Sequence, residues 1–314
     1  MVNARRHTKV VFAGEHDTTV AMPAARANGQ KILAEDINTS KATWPPPLTC
    51  LFCTTPVVAV RSSTSERKRQ AAHFRLGRDK RHQTGCDFDV HAQVTELIEL
   101  SDGLLRRGRD GYRLVLPETL AQPRPRLAER HGPERVDPTY ARKARTLLNT
   151  AAKVNDIVET YRLHGGDLHD LFHATCGDRK VSWAEFYHLP RTAWRLGDRL
   201  RNAALEHPVA VAMKVRFAGP SRTGETFYVE QRAPAGWGDT DRGQRYHLVI
   251  RSREEALLQP YYERGTWVLG LGMWELFEWR GGNRVDICLW VDSPEQIAAI
   301  PAPPTMTTAR VAAQ

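Results

Sequence analysis

Residues 50–86 read CLFCTTPVVAVRSSTSERKRQAAHFRLGRDKRHQTGC, a stretch that holds three of the five cysteines in the chain. Cys50 and Cys53 have two residues between them, the spacing of a zinc knuckle, whose turn aims both sulfurs at one point. The second pair of ligands then has to come from a separate segment. Cys86 is one member, and His82, with three residues between them, reaches the same point from a tight turn or one helical turn. His73 is the rival fourth ligand. Zinc favours thiolate and imidazole in tetrahedral array, and four protein ligands leave no position for a catalytic water. The implied cofactor is therefore a structural Zn2+. A redox CxxC would open a helix after a strand in a βαβ context, which the surrounding sequence lacks.

The same stretch carries the charge. Arg61, Arg67, Lys68, Arg69, Arg75, Arg78, Lys80 and Arg81 face only Glu66 and Asp79 between residues 61 and 82, a local net charge of +6 in a chain of +9. A loop pinned at both ends by metal ligands and carrying such a cluster can sit on phosphates, each contact releasing counterions. A basic chain, with pI near 9.5, suits nucleic acid or another anionic surface as partner.

The order TCLFC, then VVAVR, a basic stretch, HFR and finally His82 and Cys86 resembles the N-terminal zinc-binding region of competence protein CoiA-like bacterial proteins. The preceding NGQKILAEDI fits the strands that lead into that region, so the resemblance covers about residues 8–116. It implies a DNA-related zinc module. CoiA-like proteins continue into a nuclease-like domain with spaced acidic residues and a lysine around a metal, and that core is not found in this sequence.

Outward from this stretch, composition is that of a globular protein: 314 residues, 41% hydrophobic and 26% charged. No apolar run approaches the roughly 20 residues that cross a bilayer, and no signal-peptide core follows the first arginines. An odd cysteine count with isolated Cys176 and Cys288 does not suit a disulfide framework, so a cytoplasmic location is expected. Before the cysteines, TKVVFAG, TTVAMPA and QKILAED alternate like short strands. After them VHAQVTELIEL has helical periodicity, and GLLRRGRDGYRLVLP reads as a hairpin turning at Asp110-Gly111. Residues 117–138, with five prolines and little periodicity, read as a linker. Ala144, Leu147, Leu148, Ala151, Val154, Val158 and Tyr161 then recur at helical steps, and RTAWRLGDRLRNAALEHP gives a further helix.

From residue 208 five β-rich stretches follow: VAVAMKVRF, ETFYVEQR, RYHLVIRS, TWVLGLGMWELFEW and RVDICLWVD, with a helix starting at REEALL between the third and fourth. Three strands, a helix and two strands is the chain order of an OB-fold, a small barrel that binds single strands or oligosaccharides. The missing βαβ alternation argues against a parallel sheet. Pro208–Ile300 has 11 Lys or Arg, 12 Asp or Glu and 12 of the 25 aromatics. Strand parity sets Tyr228 and Arg232 on one face of the second strand, and Arg245, His247 and Arg251 on one face of the third, where aromatics stack on bases and arginines touch phosphates. Trp267, Trp274, Phe277 and Trp290, in strongly apolar strands, are expected in the core.

No Walker, Rossmann, nucleophile-elbow or HExxH motif is present, so catalytic residues are not assigned. His164, His169, His173 and Cys176 are more ordinary as residues of an amphipathic surface than as a second metal site. The expected fold is α+β and multidomain: a zinc-bound β-rich module (1–116), a linker (117–138), a helical domain (139–206), an OB-like β-barrel (207–300) and a disordered tail (301–314). The expected function is that of a nucleic-acid-binding bacterial accessory protein in DNA uptake, repair, defence or plasmid biology, with single-stranded DNA the favoured partner. A protein-interaction adaptor docking a partner through the barrel, or a divergent nuclease-complex subunit, are the alternatives.

Overall fold

The computed structural model describes residues 20–39, 47–65, 68–117, 138–232, 245–279 and 284–304. The first strand-like stretch TKVVFAG, the start of TTVAMPA, most of the linker, Arg67 and the tail beyond residue 304 lie outside these residues. Of Lys68, Arg69 and Arg232 the backbone alone is described.

Strands β1 (Ala24–Ala27) and β2 (Gln30–Leu33) form a hairpin, followed by the short helix α1 (Asp36–Thr39). Strand β3 (Leu48–Cys50) adds to the other side of β1 and delivers Cys50 to the end of the sheet. Then β4 (Val57–Val60), β5 (Ser63–Ser65), β6 (Lys68–Gln70) and β7 (His73–Leu76) make nested hairpins, β4 against β7 and β5 against β6. Helix α2 (Val90–Leu100) begins where the Asp89 carboxylate accepts from the Ala92 amide, and it buries Val90, Val94 and Leu97, the face its periodicity selects.

The hairpin of β8 (Leu105–Gly108) and β9 (Gly111–Leu116) turns at Arg109-Asp110 rather than at the expected Asp110-Gly111, with Gly111 paired to Gly108. A Cβ on Gly111 would fall 2.2 Å from the Leu171 carbonyl oxygen, and its φ of +122° lies where L side chains are strained. That close approach lets a later segment join the sheet. After the long helix α3 (Pro138–Leu163), β10 (Phe172–Cys176) pairs in parallel with β9 and antiparallel with β11 (Arg179–Ser182), giving the order β11-β10-β9-β8. Chain on either side of residues 117–138 therefore shares one sheet. The middle segment is not purely helical: helix α4 (Trp183–Phe186), capped by Ser182 and Glu185, leads into β12 (Tyr187–His188) before helix α5 (Ala193–Asn202).

The remaining strands are β13 (Val209–Lys214), β14 (Phe217–Pro220), β15 (Phe227–Arg232), β16 (Arg245–Ser252), β17 (Trp267–Gly272), β18 (Glu275–Glu278), β19 (Arg284–Trp290) and β20 (Ile297–Ile300), with helix α6 (Glu255–Leu258) after β16. They build two mixed sheets, β12-β13-β17-β20 and β14-β15-β16-β19-β18. Among the described residues no sheet closes into the barrel expected from chain order. The run 209–220 pairs with β17 as far as Val215, whose amide donates to Thr266, and with β15 from Arg216, whose amide donates to Glu230. It leaves one sheet and enters the other within two residues. No described sheet is wholly parallel, but single parallel pairs occur within mixed sheets: β9/β10, β12/β13 and, in the C-terminal segment, β16/β19.

The four-stranded sheet is a wall between two cores, which explains the unbroken apolar run VAVAM. Ala210, Ala212, Leu269 and Leu271 face the core that holds α3 and the N-terminal strands, whereas Val209, Val211, Met213 and Val268 face the five-stranded sheet. Gly270 leaves room for Trp274 and Leu289, since a Cβ there would sit 3.1 and 3.0 Å from their side chains.

Candidate functional site

The end of β3, the loop before β4 and the loop before α2 converge to bring Cys50, Cys53, His82 and Cys86 together, with all four ligand atoms within 4.8 Å of one another. Cys50 Sγ lies 3.6 Å from Cys86 Sγ, and His82 Nδ1 lies 3.6 Å from Cys53 Sγ and 3.4 Å from Cys86 Sγ. A tetrahedral ion with bonds of about 2.3 Å to sulfur and 2.0 Å to nitrogen has edges of about 3.8 Å between sulfurs and 3.5 Å between sulfur and nitrogen. The group can hold one metal ion. The backbone holds the ligands in place: Cys50 donates its amide to the Thr55 carbonyl, Thr55 Oγ1 donates to the Arg81 carbonyl next to His82, and Gln93 Nε2 donates to the Cys86 carbonyl.

The four groups also set each other's protonation. The hydrogen bond with Cys86 brings the Cys50 thiol down to about 4 against the burial that raises it, and the same contact drives Cys86 far above its ordinary range. Burial lowers His82, but the two sulfurs Cys50 and Cys53 outweigh it and raise the imidazole to about 9. Three sulfurs and an imidazole at these distances stabilise cationic charge in their midst.

His73 is not part of the group. Its place on β7, opposite Val60, buries it in the sheet, where its Nδ1–H donates to the Ala71 carbonyl. His164 accepts from Lys31 Nζ through Nδ1, and His173 pairs within its sheet, so no second metal-capable group forms there among the described residues.

Of the basic cluster, Arg61, Arg75, Arg78, Lys80 and Arg81 are exposed, and Arg78 lies 3.9 Å from the equally exposed Asp79. They lie on the strands and turn between the two pairs of metal-capable residues.

On the five-stranded sheet, Phe227 packs against the core and Tyr228 lies on the opposite face, opposite Arg251 of β16. Arg245 is exposed. His247 shares that face but is not open to a partner: it is buried, and its Nδ1–H donates to Glu230 Oε1 at 2.8 Å. Burial raises the Glu230 carboxyl, but the His247 hydrogen bond and the Arg284 guanidinium outweigh it and hold it below the ordinary range. Arg251 reaches Asp286 Oδ2 at 2.9 Å, and Arg284 bridges Asp286 and Glu230. Phe277 and Trp290, expected in the core, are 48% and 38% exposed, as are Phe217 at 45% and Trp279 at 44%; Trp274 is buried. Phe277 was missed because TWVLGLGMWELFEW reads as one apolar strand, whereas the run divides into β17 and the edge strand β18, ELFE. The signal that could have found it was the pair Glu275 and Glu278 enclosing Leu276 and Phe277, charges unsuited to a strand buried on both faces.

No family model and no curated protein matches the chain. The likeness to CoiA-like proteins rests on the quoted motif alone. Among solved structures, Schizosaccharomyces pombe Pot1pC bound to ssDNA is similar over 33% of this chain and 87% of its own, at 10% identity and a TM-score of 0.22, too low to carry an argument. No helix among the described residues is long and apolar enough to cross a membrane.

Proposed function

We propose that the chain is a nucleic-acid-binding protein whose N-terminal module is folded around a structural zinc ion. The observation that carries this reading is the placement of Arg61, Arg75, Arg78, Lys80 and Arg81, exposed on a segment held at both ends by the Cys50/Cys53 and His82/Cys86 pairs. Cations on a segment so fixed lose little freedom on meeting phosphate, so their release of counterions is converted into affinity. Zinc suits three thiolates and an imidazole better than hard cations, which prefer oxygen. When bound it neutralises the sulfurs and crosslinks the loops; with four protein ligands it offers no site for chemistry.

The C-terminal half supports a single-stranded partner. Strands β14, β15 and β16 run as a meander, β19 lies parallel to β16, and β17 returns to β13, the connectivity of an OB-like fold. Tyr228, Arg232, Arg245 and Arg251 are the residues proposed to touch the strand. The motif likeness suggests a role in bacterial DNA uptake, repair, defence or plasmid biology. A second reading, an adaptor that docks a protein, is favoured by the near-neutral balance of this half.

The test is the salt dependence of binding to a labelled single strand. Replacing Arg75, Arg78, Lys80 and Arg81 by Ala should weaken binding and lower the slope of log affinity against log salt by about 0.7 for each phosphate that is no longer neutralised. An unchanged slope would remove the basic segment from the interface. A wild-type chain that binds no nucleic acid but retains a protein partner would put the adaptor reading in its place.

A further inference from the structure

We infer that the outer face of the five-stranded sheet is a base-stacking site for single-stranded nucleic acid, a deepening that rests on the nucleic-acid reading above. Side chains alternate across a strand, so registered pairs fix what shares this face. Tyr228, Arg251 and Trp290 form one row across β15, β16 and β19, and Asp286 and Phe277 lie opposite each other in another. The two rows are four residues apart along β19, about 13 Å. The inward set, Val229, Leu248, Ile250, Ile287 and Leu289, fills the core, so the sheet has no packing reason to place rings outside.

The outward rings are nevertheless organised. Phe277 and Trp279 meet edge to face at 5.2 Å; the Arg251 guanidinium lies 5.9 Å from each, and that of Arg284 lies 5.5 Å from Trp279. Trp279 Nε1 donates to Asp286 Oδ2, fixing the indole. Beneath them the side chains of Asp286 and Glu230 are 0% and 6% exposed, while those of Arg251 and Arg284, which they hold, keep 21% and 29%. The acids are hidden and the cations are partly in water, with Glu275 the exposed acid at the edge of this face. Buried carboxylates thus hold planar cations beside open π faces. Charge complementarity selects the occupant: bases stack on rings and guanidiniums, and phosphates meet the N–H groups that the carboxylates leave free. A protein partner would bring its own side chains but no reason for paired flat surfaces spaced along the strands.

Because the acids offset much of the cationic charge, affinity at this face comes from stacking and depends weakly on salt, unlike that of the basic segment. The full-length protein is titrated with an oligothymidylate and with an abasic strand of equal length, following tryptophan fluorescence. Wild type should favour the oligothymidylate, with quenching. Phe277→Ala combined with Trp290→Ala should lose about fivefold or more in affinity and most of that preference, with the salt slope unchanged. Phe277→Tyr should retain both, separating stacking from any effect on folding. Equal affinity for the two strands in wild type, with a steep salt slope, would overturn the stacking site and leave the phosphate-binding reading intact. No binding of either strand would overturn both.

Discussion

Which histidine joins the cysteines is settled by a register rather than by its spacing. Seen as sequence, His73 and His82 compete; pairing of β4 with β7 turns the first into the sheet, while the turn 77–82 carries the second to the sulfurs. The cysteine spacing is legible because two intervening residues leave few geometries, whereas the histidine depends on strand pairing that no local pattern encodes. Another histidine predicts a pH response. His188, on β12 beside β13, is pushed down to about 4 by burial. An unfolded histidine titrates near 6.5, so between pH 6.5 and 4 the unfolded chain binds more protons and stability falls as pH drops. Asp156, raised by burial to about 7, acts in the opposite direction in that range. Comparing wild type with His188→Gln by urea unfolding at several pH values cancels Asp156. Wild type should lose about 3 kcal/mol relative to the variant across the window. Parallel curves would show that His188 opens to water before it protonates.

At the scale of elements, helices are readable from sequence and strand partners are not. The periodicity of α2 and α3 selects the residues they bury, because a helix makes its own hydrogen bonds and needs only a face to pack. The segment FHATC does not read as a strand because its partner β9 lies beyond the intervening residues 118–137 and α3, in parallel register Phe172 to Tyr112. The OB-like order is legible as a sequence of strands, but its division into two sheets depends on where the run 209–220 changes partner. The strand β13 shows what alternation means when both faces are buried: alanines face the helical side and larger residues the other. Ala212 is fully buried in the core shared with α3. Ala212→Leu should therefore destabilise the protein by about 1–3 kcal/mol, through overpacking alone. A neutral result in thermal unfolding would mean that α3 can retreat from the sheet without penalty.

At the scale of the molecule, the metal-capable group is joined to the rest by packing. Phe52, between Cys50 and Cys53, meets Phe88 at 4.8 Å, and Phe88 meets Tyr161 of α3 at 4.9 Å. The Tyr161 hydroxyl donates to the Phe88 carbonyl, two residues after Cys86, and is buried there. Helix α3 in turn shares its core with Ala210, Ala212, Leu269 and Leu271 of the four-stranded sheet. A structural zinc contributes its binding free energy to folding, so stripping it should release the loops that present Phe52 and Phe88. If the N-terminal module were an independent bead on a linker, the loosening would stop near residue 116. The shared aromatic cluster and the β9/β10 pairing instead predict that it spreads. Protein purified without added metal should contain one zinc per chain by elemental analysis. A strong chelator, or Cys86→Ser, should then speed amide exchange in β10 and the last turns of α3 as well as in β3 and α2. Helix α6 and strand β16, on the far side of the sheet wall, should respond least. Exchange that changes before residue 117 and nowhere beyond it would show that the module folds alone, and absence of stoichiometric zinc would remove the metal from the account altogether.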